Sequence, residues 1–370
     1  MVVPAEEARR REVLAMLAPG TMMRDGIERI LRARRGTLIV IGSTPQVLAL
    51  CSGGFVIDSP ATGQRIAELA KMDGALVVDA EAGRILRANV QLVPDPSIPT
   101  DETGTRHRSA ERTARQTGLP VVAVSESLGA ISLYLDSVRY VVDEVATVMH
   151  RANQAMSTLE RYRARLDEVI EVLATRELED QVTVRDVAFA LQRAEMLRRI
   201  AGNLEGHVVE LGVEGRMVAL QLEELFEPVE PVLELIVRDY LTDRRRRPAR
   251  PIADLAALST EELLDHARIA ALLGADSDLD RRITARGYRM LGRIPRLPLV
   301  VVERLVDHFG ALPAILAANT ASLGDVEGVG PTRARTIRDW LQRRREQLLP
   351  AAAAPSVAPT APDSSAPARA

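Results

Sequence analysis

Residues 104 to 115 read Gly104-Thr-Arg-His-Arg-Ser-Ala-Glu-Arg-Thr-Ala-Arg115, a pattern that predicts a helix beginning with hydroxyl and cationic side chains. Backbone N–H groups at a helix N-terminus, together with the helix dipole, favour anions such as phosphate. Thr105 and Ser109 add hydroxyl donors, and Arg106 and Arg108 add planar guanidinium groups that match phosphate oxygens. The stretch therefore indicates either a phosphate-binding helix start or an ordinary surface helix with solvated arginines.

The sequence around this helix predicts a mixed α/β domain. Short β-rich segments alternate with helical ones, a pattern typical of one mixed sheet covered by helices. The predicted strands are Thr37–Ile41, Val47–Leu50, Gly74–Val78, Val121–Val124, Ile131–Leu135 and Arg139–Val142. The predicted helices are two within residues 1–35, the second capped by Thr21, then Thr62–Ala70 and His107–Thr117, which Gly118 should end.

After about residue 142 the pattern becomes helical. Apolar residues recur at 3.5-type spacing from Val148 to Leu173, which predicts one long packing helix. Further helices are predicted at 184–201 (capped by Thr183), 207–226, 231–242, 260–273, 299–309, 313–318 and from Pro331 to about Arg345. The fold class is therefore multidomain α/β plus all-α. We expect a mixed α/β domain over 1–142, a helical spine over 143–285, a C-terminal helical domain over 286–347 and a disordered tail over 348–370.

Composition excludes several classes of protein. No run of about 18 apolar residues occurs and the N-terminus is charged, so we expect neither a membrane span nor a secretory signal, and we place the protein in the cytoplasm. Cys51 is the only cysteine, which excludes a disulfide framework or a Cys-rich metal site. Lys71 is the only lysine and no Gly-Lys-Ser/Thr tripeptide follows a glycine-rich loop, so a P-loop is excluded.

The C-terminal region is basic. Residues 281–345 carry 13 arginines against five acidic residues, which points to a polyanionic partner. The turn Gly328-Val-Gly330 lies between two predicted helices, where glycines expose backbone N–H groups to a DNA phosphate and Arg333 and Arg335 add charge. This pattern favours a helix-hairpin-helix element that binds DNA without reading sequence, although a plain helical hairpin would look similar.

A second candidate chemical element is Lys71-Met-Asp-Gly-Ala75. Asp73 stands at the entrance to a predicted strand, and Gly74 allows another backbone to approach closely. Such an aspartate can hold a divalent cation or accept a hydroxyl proton. An ordinary connecting turn has the same sequence pattern.

Together these elements resemble the DNA integrity scanning diadenylate cyclases, and the resemblance covers nearly the whole length of the chain to about residue 347. The resemblance rests on Leu17-Ala-Pro-Gly-Thr21, residues 32–42, Glu68-Leu-Ala-Lys-Met-Asp-Gly-Ala75 and Gly104-Thr-Arg-His-Arg-Ser-Ala-Glu-Arg112. It implies a cyclase domain, a helical spine and a helix-hairpin-helix DNA-binding domain, assembled as an octamer whose cyclase domains meet face to face. The implied reaction condenses two ATP into cyclic di-AMP and two pyrophosphates with Mg²⁺ or Mn²⁺, coupled to the sensing of branched DNA.

The resemblance also implies roles for individual residues. Asp73 would bind the metal or help to deprotonate the ribose 3′-hydroxyl. The ATP-binding residues would be Gly74, Ala75, Leu92, Gly104, Thr105, Ser109 and Ser125, and the phosphates would be neutralised by Arg106, His107 and Arg108. His107 could instead be a plain hydrogen-bond donor or a metal ligand. DNA would contact Gly328, Gly330, Arg333 and Arg335.

One loop departs from the family pattern. Some members place a glutamine and arginines after the strand that ends near Ser125, whereas this chain has Glu126-Ser-Leu128. Glu126 would repel phosphate, so we expect it to point away from the nucleotide. The alternative to an enzyme is a nucleotide-sensing DNA-binding scaffold without catalytic activity. A nuclease or glycosylase would need clustered carboxylates or a catalytic lysine that the chain lacks.

Overall fold

The computed structural model describes residues 5–126, 129–226, 229–243, 247–275 and 277–349. Contacts divide the chain into two compact units. The first unit comprises Met1–Arg161 and Leu197–Glu227, and the second comprises Tyr162–Met196 and Pro228–Ala370. Two long helices contribute residues to both units, so this division does not coincide with the three predicted domains, which remain a prediction. The predicted tail lies outside the described residues from residue 350 onward.

An eight-stranded mixed sheet forms the centre of the first unit. Its strands are β1 Thr37–Ile41, β2 Cys51–Ser52, β3 Phe55–Pro60, β4 Ala75–Asp79, β5 Arg84–Leu92, β6 Val121–Val124, β7 Ile131–Leu135 and β8 Val138–Val142. The order is β2-β5-β4-β1-β6-β7-β8, with β3 also paired to β5. Only β1 and β4 run parallel among these pairs, and this parallel pair brings the start of β4 beside the start of β1. The predicted mixed sheet is therefore confirmed.

Helices cover both faces of the sheet. The α-helices that lie wholly within the first unit are α1 Ala5–Met16, α2 Met22–Arg32, α3 Pro45–Leu50, α4 Gly63–Leu69, α5 Thr105–Thr117 and α8 Arg216–Phe226. Alternate residues of β1 point to opposite faces. Ile39 packs in one buried cluster with Ile27 of α2, whereas Val40 packs in the other with Ala110 and Ala114 of α5. The apolar underside of α5 thus anchors the helix to the sheet, while its start remains at the sheet's edge.

The remaining described elements are helical. They are α6 Val145–Leu178, α7 Val184–Leu211, a 3₁₀ turn Gly212–Gly215, α9 Val229–Tyr240, α10 Ala249–Ala257, a 3₁₀ turn Glu262–Leu264, α11 His266–Leu272, α12 Tyr288–Gly292, α13 Leu299–Phe309, α14 Leu312–Ala317, α15 Thr320–Gly324 and α16 Pro331–Leu348. The long packing helix predicted from Val148 is confirmed as α6. Helix α7 extends ten residues beyond its predicted end, so the predicted helix 207–226 is in fact the end of α7, a 3₁₀ turn and α8.

Helix ends explain which local predictions succeed and which fail. Thr21 caps α2 by accepting a hydrogen bond from the Arg24 N–H, and Gly118 ends α5 in the left-handed region at φ 69°. The predicted strand Val47–Leu50 is wrong, because these residues form α3. Thr44 caps this helix by accepting from the Val47 N–H, and a proline at its start favours the first helical turn.

Candidate active site

A cleft of about 1080 Å³ opens at the ends of the sheet's inner strands in the first unit. Its lining combines the start of β4, part of β5, the start of α5 and the end of β6. The lining residues are Leu38, Asp73, Gly74, Ala75, Val90, Gln91, Leu92, Glu102, Thr103, Gly104, Thr105, Arg106, His107, Ser109, Ser125, Glu126 and Arg139. Ten of the eleven residues predicted for the cyclase site therefore meet in one cavity, and the exception is Arg108.

The turn before β4 places Asp73 at the mouth of this cleft. The Asp73 side chain is fully exposed, so its carboxylate is free to meet a ligand. Gly74 has a structural reason to be glycine, because a Cβ at this position would lie 2.6 Å from the Cα of Asn89. Asn89 itself adopts φ 55° at an irregularity in the β4–β5 pairing. Gly74 thus lets β5 approach closely beside the aspartate.

The start of α5 forms one side of the cleft and presents groups suited to an anion. Gly104 is its N-cap and makes no side-chain cap hydrogen bond, and the Gly104 carbonyl accepts the Arg108 N–H at 2.9 Å. The first N–H groups of a helix have no partner within the helix. Because Thr105 and Ser109 line the same cleft, hydroxyl and backbone donors are available together for an anion.

Arg106 lies between the two sides of the cleft. Its Nη2 is 3.8 Å from the Asp73 Oδ1, a loose ion pair that adds little stability at such exposure. The guanidinium passes over Gly36, where a Cβ would collide with it. The cleft therefore presents the exposed Asp73 carboxylate, which suits a metal cation, beside the Arg106 guanidinium, which suits phosphate.

A series of hydrogen bonds that the sequence did not predict holds the His107 side chain. The Tyr134 hydroxyl lies 2.8 Å from the His107 Nδ1 and donates to the Glu102 Oε1 at 2.8 Å, and Arg139 donates to the same Glu102 oxygen at 3.1 Å. Burial lowers the pKa of His107, and Arg139 and Arg106 act in the same direction against the opposing effect of Glu102. Burial and the hydrogen bond to Glu102 raise the pKa of Tyr134. A tyrosine within the mainly apolar β7 was the available sequence signal.

Two other residues do not fit a simple phosphate-binding site. Arg108 is exposed and is not among the residues that line this chain's cleft. Glu126 is exposed yet does line the cleft, so its expected outward orientation stays a prediction. The neighbouring residues 127 and 128 lie outside the described residues.

Asp73 suits a cation that is shared with a ligand. Among the described residues no group of three or more His, Cys, Asp or Glu side chains could enclose a metal ion. Mg²⁺ is usually held by one or two carboxylates together with substrate phosphates and water. A single exposed carboxylate opposite a helix start suited to phosphate fits that manner of binding.

Matches to family models identify the class of this protein's domains. Residues 24–138 match the family model described as DisA bacterial checkpoint controller nucleotide-binding, and residues 142–281 match the model of the DisA linker region. The sheet and its cleft thus form a nucleotide-binding domain of this type. Within the described residues, no helix has the length and apolar character to cross a membrane.

Curated relatives then give the family. The chain is 54% identical over 349 residues to the DNA integrity scanning protein DisA of Acidothermus cellulolyticus, a match that covers 93% of this chain and 95% of the relative. It is 53% identical over 344 residues to the protein of that name from a Parafrankia strain, covering 92% and 96% respectively. The Streptomyces avermitilis protein is 50% identical, with 92% of each chain covered. The chain therefore belongs to the family of DNA integrity scanning proteins DisA.

Proposed function

We propose that this protein is a diadenylate cyclase that condenses two ATP into cyclic di-AMP and two pyrophosphates in the cytoplasm. The observation that carries the proposal is the meeting of Asp73 with the start of α5 in one cleft. Membership of the DisA family, whose nucleotide-binding model matches this domain, supports it. The reaction needs a nucleotide pocket, phosphate-neutralising groups and a carboxylate for a divalent cation, and the cleft offers all three.

Each part of the cleft has a role in this proposal. Apolar Leu38 and Leu92, with the backbone around Gly74 and Ala75, would pack against base and ribose. The start of α5 would bind phosphate oxygens, and Arg106 would neutralise charge that develops at the α-phosphorus. Asp73 would hold Mg²⁺ or Mn²⁺, which when bound would polarise phosphate oxygens and acidify the attacking 3′-hydroxyl.

Ring closure requires two such clefts. Each cleft has one Asp73 and one α5 start, which suffice to orient one ATP, whereas the product contains two new 3′–5′ linkages. The 3′-hydroxyl of each nucleotide would therefore attack the α-phosphorus of the other across an interface between two subunits. Arg108, which is exposed outside its own cleft, suits a contact with the nucleotide of a facing subunit. We propose an octamer on the family resemblance.

The C-terminal hairpin is proposed to bind branched DNA through its phosphates. Helices α15 and α16 flank a turn in which Gly328 adopts φ 88°, and Arg333 donates a hydrogen bond to the Gly328 carbonyl. Arg335 is exposed on α16. A tight glycine turn with arginines beside it is typical of phosphate contacts that do not read base sequence.

Purified protein incubated with ATP and Mn²⁺ is expected to produce cyclic di-AMP and pyrophosphate in a ratio of one to two. Mass spectrometry identifies the dinucleotide, and a pyrophosphate assay gives the ratio. Omission of metal should stop synthesis. Saturable ATP binding without any cyclic product would instead support the non-enzymatic scaffold.

Gly330→Val should weaken binding to a four-way DNA junction about tenfold, since one blocked phosphate contact is worth on the order of 1 kcal/mol. Gly330 has negative φ and no atom within 4 Å of an added Cβ, so the substitution should leave the fold intact. Fluorescence anisotropy over a salt series measures the loss. Gly324→Ala is the control, because Gly324 is equally open but lies outside the turn.

Basal cyclic di-AMP synthesis should be unchanged in Gly330→Val. A parallel loss of synthesis would contradict the modular arrangement, and unchanged junction binding would contradict the role of the turn.

The Arg335→Gln variant should reduce the slope of log affinity against log salt by about one, as expected when one phosphate contact is lost.

A further inference from the structure

The Tyr134 hydroxyl bridges His107 and Glu102. Its oxygen is 2.8 Å from the His107 Nδ1 and 2.8 Å from the Glu102 Oε1. The Tyr134 ring is 1% exposed and packs in the buried cluster that includes Ala110 and Ala114 of α5. The hydroxyl is therefore held at a defined point beneath the helix that carries His107.

The charge on Glu102 decides the direction of these hydrogen bonds. Arg139 Nη1 donates to both Glu102 oxygens, at 3.1 and 3.4 Å, and Arg139 is itself held by the Ser132 hydroxyl at 3.3 Å. A carboxylate in an ion pair with a guanidinium can only accept hydrogen bonds. The single proton of the Tyr134 hydroxyl is thus directed to Glu102, and the phenolic oxygen must accept a proton from the His107 Nδ1.

We infer that Glu102 and Tyr134 are positioning residues that hold His107 as its Nδ1–H tautomer, so that Nε2 offers a lone pair to the ligand in the cleft. The hydrogen bond made by one imidazole nitrogen sets the state of the other. His107 consequently accepts a hydrogen bond from a donor such as a ribose hydroxyl, and it does not donate one to a phosphate oxygen. The identity of that donor rests on the proposed function, whereas the tautomer does not.

The charged groups around His107 favour the neutral ring to which this argument applies. Arg106 on its own helix and Arg139 on β8 both lower the pKa of His107, in addition to burial, while Glu102 opposes them. At pH 7.5 the imidazole is therefore neutral, and the question is only which nitrogen carries the proton. Tyr134, on β7, contributes the oxygen that accepts the hydrogen bond from Nδ1.

Magic-angle-spinning NMR of the full chain, labelled with ¹⁵N-histidine, tests the tautomer directly at pH 7.5. The chain has five histidines, and a His107→Gln sample assigns the signals of interest. We expect a protonated Nδ1 and an unprotonated Nε2 in the wild type. Tyr134→Phe keeps the buried ring but removes the oxygen, and the proton should move to Nε2. Tyr140→Phe, on β8 but outside the chain of hydrogen bonds, should leave the signals of His107 unchanged.

A second variant removes the acceptor of the Tyr134 hydroxyl and tests the same tautomer. In Glu102→Ala, at a partly exposed position, the Tyr134 hydroxyl loses its acceptor and should donate to the His107 Nδ1, again leaving the proton on Nε2. Wild-type His107 with its proton on Nε2 would overturn the inference, as would an unchanged tautomer in both variants.

Kinetics connect the tautomer with the reaction. Tyr134→Phe should lower kcat for cyclic di-AMP about tenfold, as expected for an outer partner that orients an active-site histidine, while KM for ATP changes less. An unchanged kcat despite a changed tautomer would overturn the role of Nε2. Nδ1–H in a protein that makes no cyclic di-AMP would refute the proposed function alone, and an active enzyme with Nε2–H would refute this inference alone.

Discussion

Asp73→Asn should reduce cyclic di-AMP synthesis about a thousandfold, because loss of the carboxylate charge removes several kcal/mol of metal-dependent stabilisation from the transition state. No described group of His, Cys, Asp and Glu side chains is arranged to take over the cation. The other acidic residues that line the cleft are Glu102, which is bound by Arg139 and Tyr134, and Glu126. Initial rates with saturating ATP and a Mn²⁺ series measure the effect.

The fold should tolerate this substitution. Asp73 is fully exposed and its ion pair with Arg106 spans 3.8 Å, so stability should change by no more than about 0.5 kcal/mol. Asp101→Asn is the matched control, since Asp101 is an exposed aspartate in the same unit that does not line the cleft, and its activity should stay within about twofold. An Asp73→Asn protein with wild-type activity would contradict the metal-binding role.

Arg289→Met should destabilise the second unit by about 3–5 kcal/mol, because it leaves a carboxylate buried without its partner. Arg289 is 1% exposed and Glu177 is 2% exposed, and Arg289 donates to both Glu177 oxygens. Tyr240 donates to the same carboxylate at 2.7 Å, but a neutral hydroxyl cannot replace the guanidinium. Nearby Asp239 is also buried and accepts the backbone N–H groups that start α12.

Urea unfolding followed by tryptophan fluorescence measures this loss, since Trp340 is the only tryptophan and lies in the second unit. Arg185→Met is the control, because the Arg185–Asp280 pair is exposed and should contribute less than about 1 kcal/mol. Adding Glu177→Leu to Arg289→Met should recover part of the stability, since it removes the carboxylate that had lost its partner. A loss below about 1 kcal/mol for Arg289→Met would show that Glu177 is satisfied without it.

Local signals in the sequence predicted much of the sheet and its helices. Val121–Val124 and Ile131–Leu135 have the predicted bounds because both are short, mainly apolar runs between turn residues. Strand β5, the longest of the sheet, was missed because charged and polar residues interrupt its apolar pattern. Its place is set by pairing with β2, β3 and β4, which are distant interactions that no local pattern reports.

The sequence by itself determined the chemistry at the start of α5 and the presence of an aspartate before β4, since both depend on residue type and local order. Only the tertiary structure decided which side chains meet there. Tyr134 reaches His107 because antiparallel pairing of β6, β7 and β8 places Tyr134 and Arg139 near the start of α5. Glu102, in the segment just before α5, accepts hydrogen bonds from both of these residues. Arg108 lies outside the cleft because the same face of α5 cannot present all of its polar side chains. Strand register and helix rotation are set by packing of the whole domain, which residue spacing along the chain does not contain.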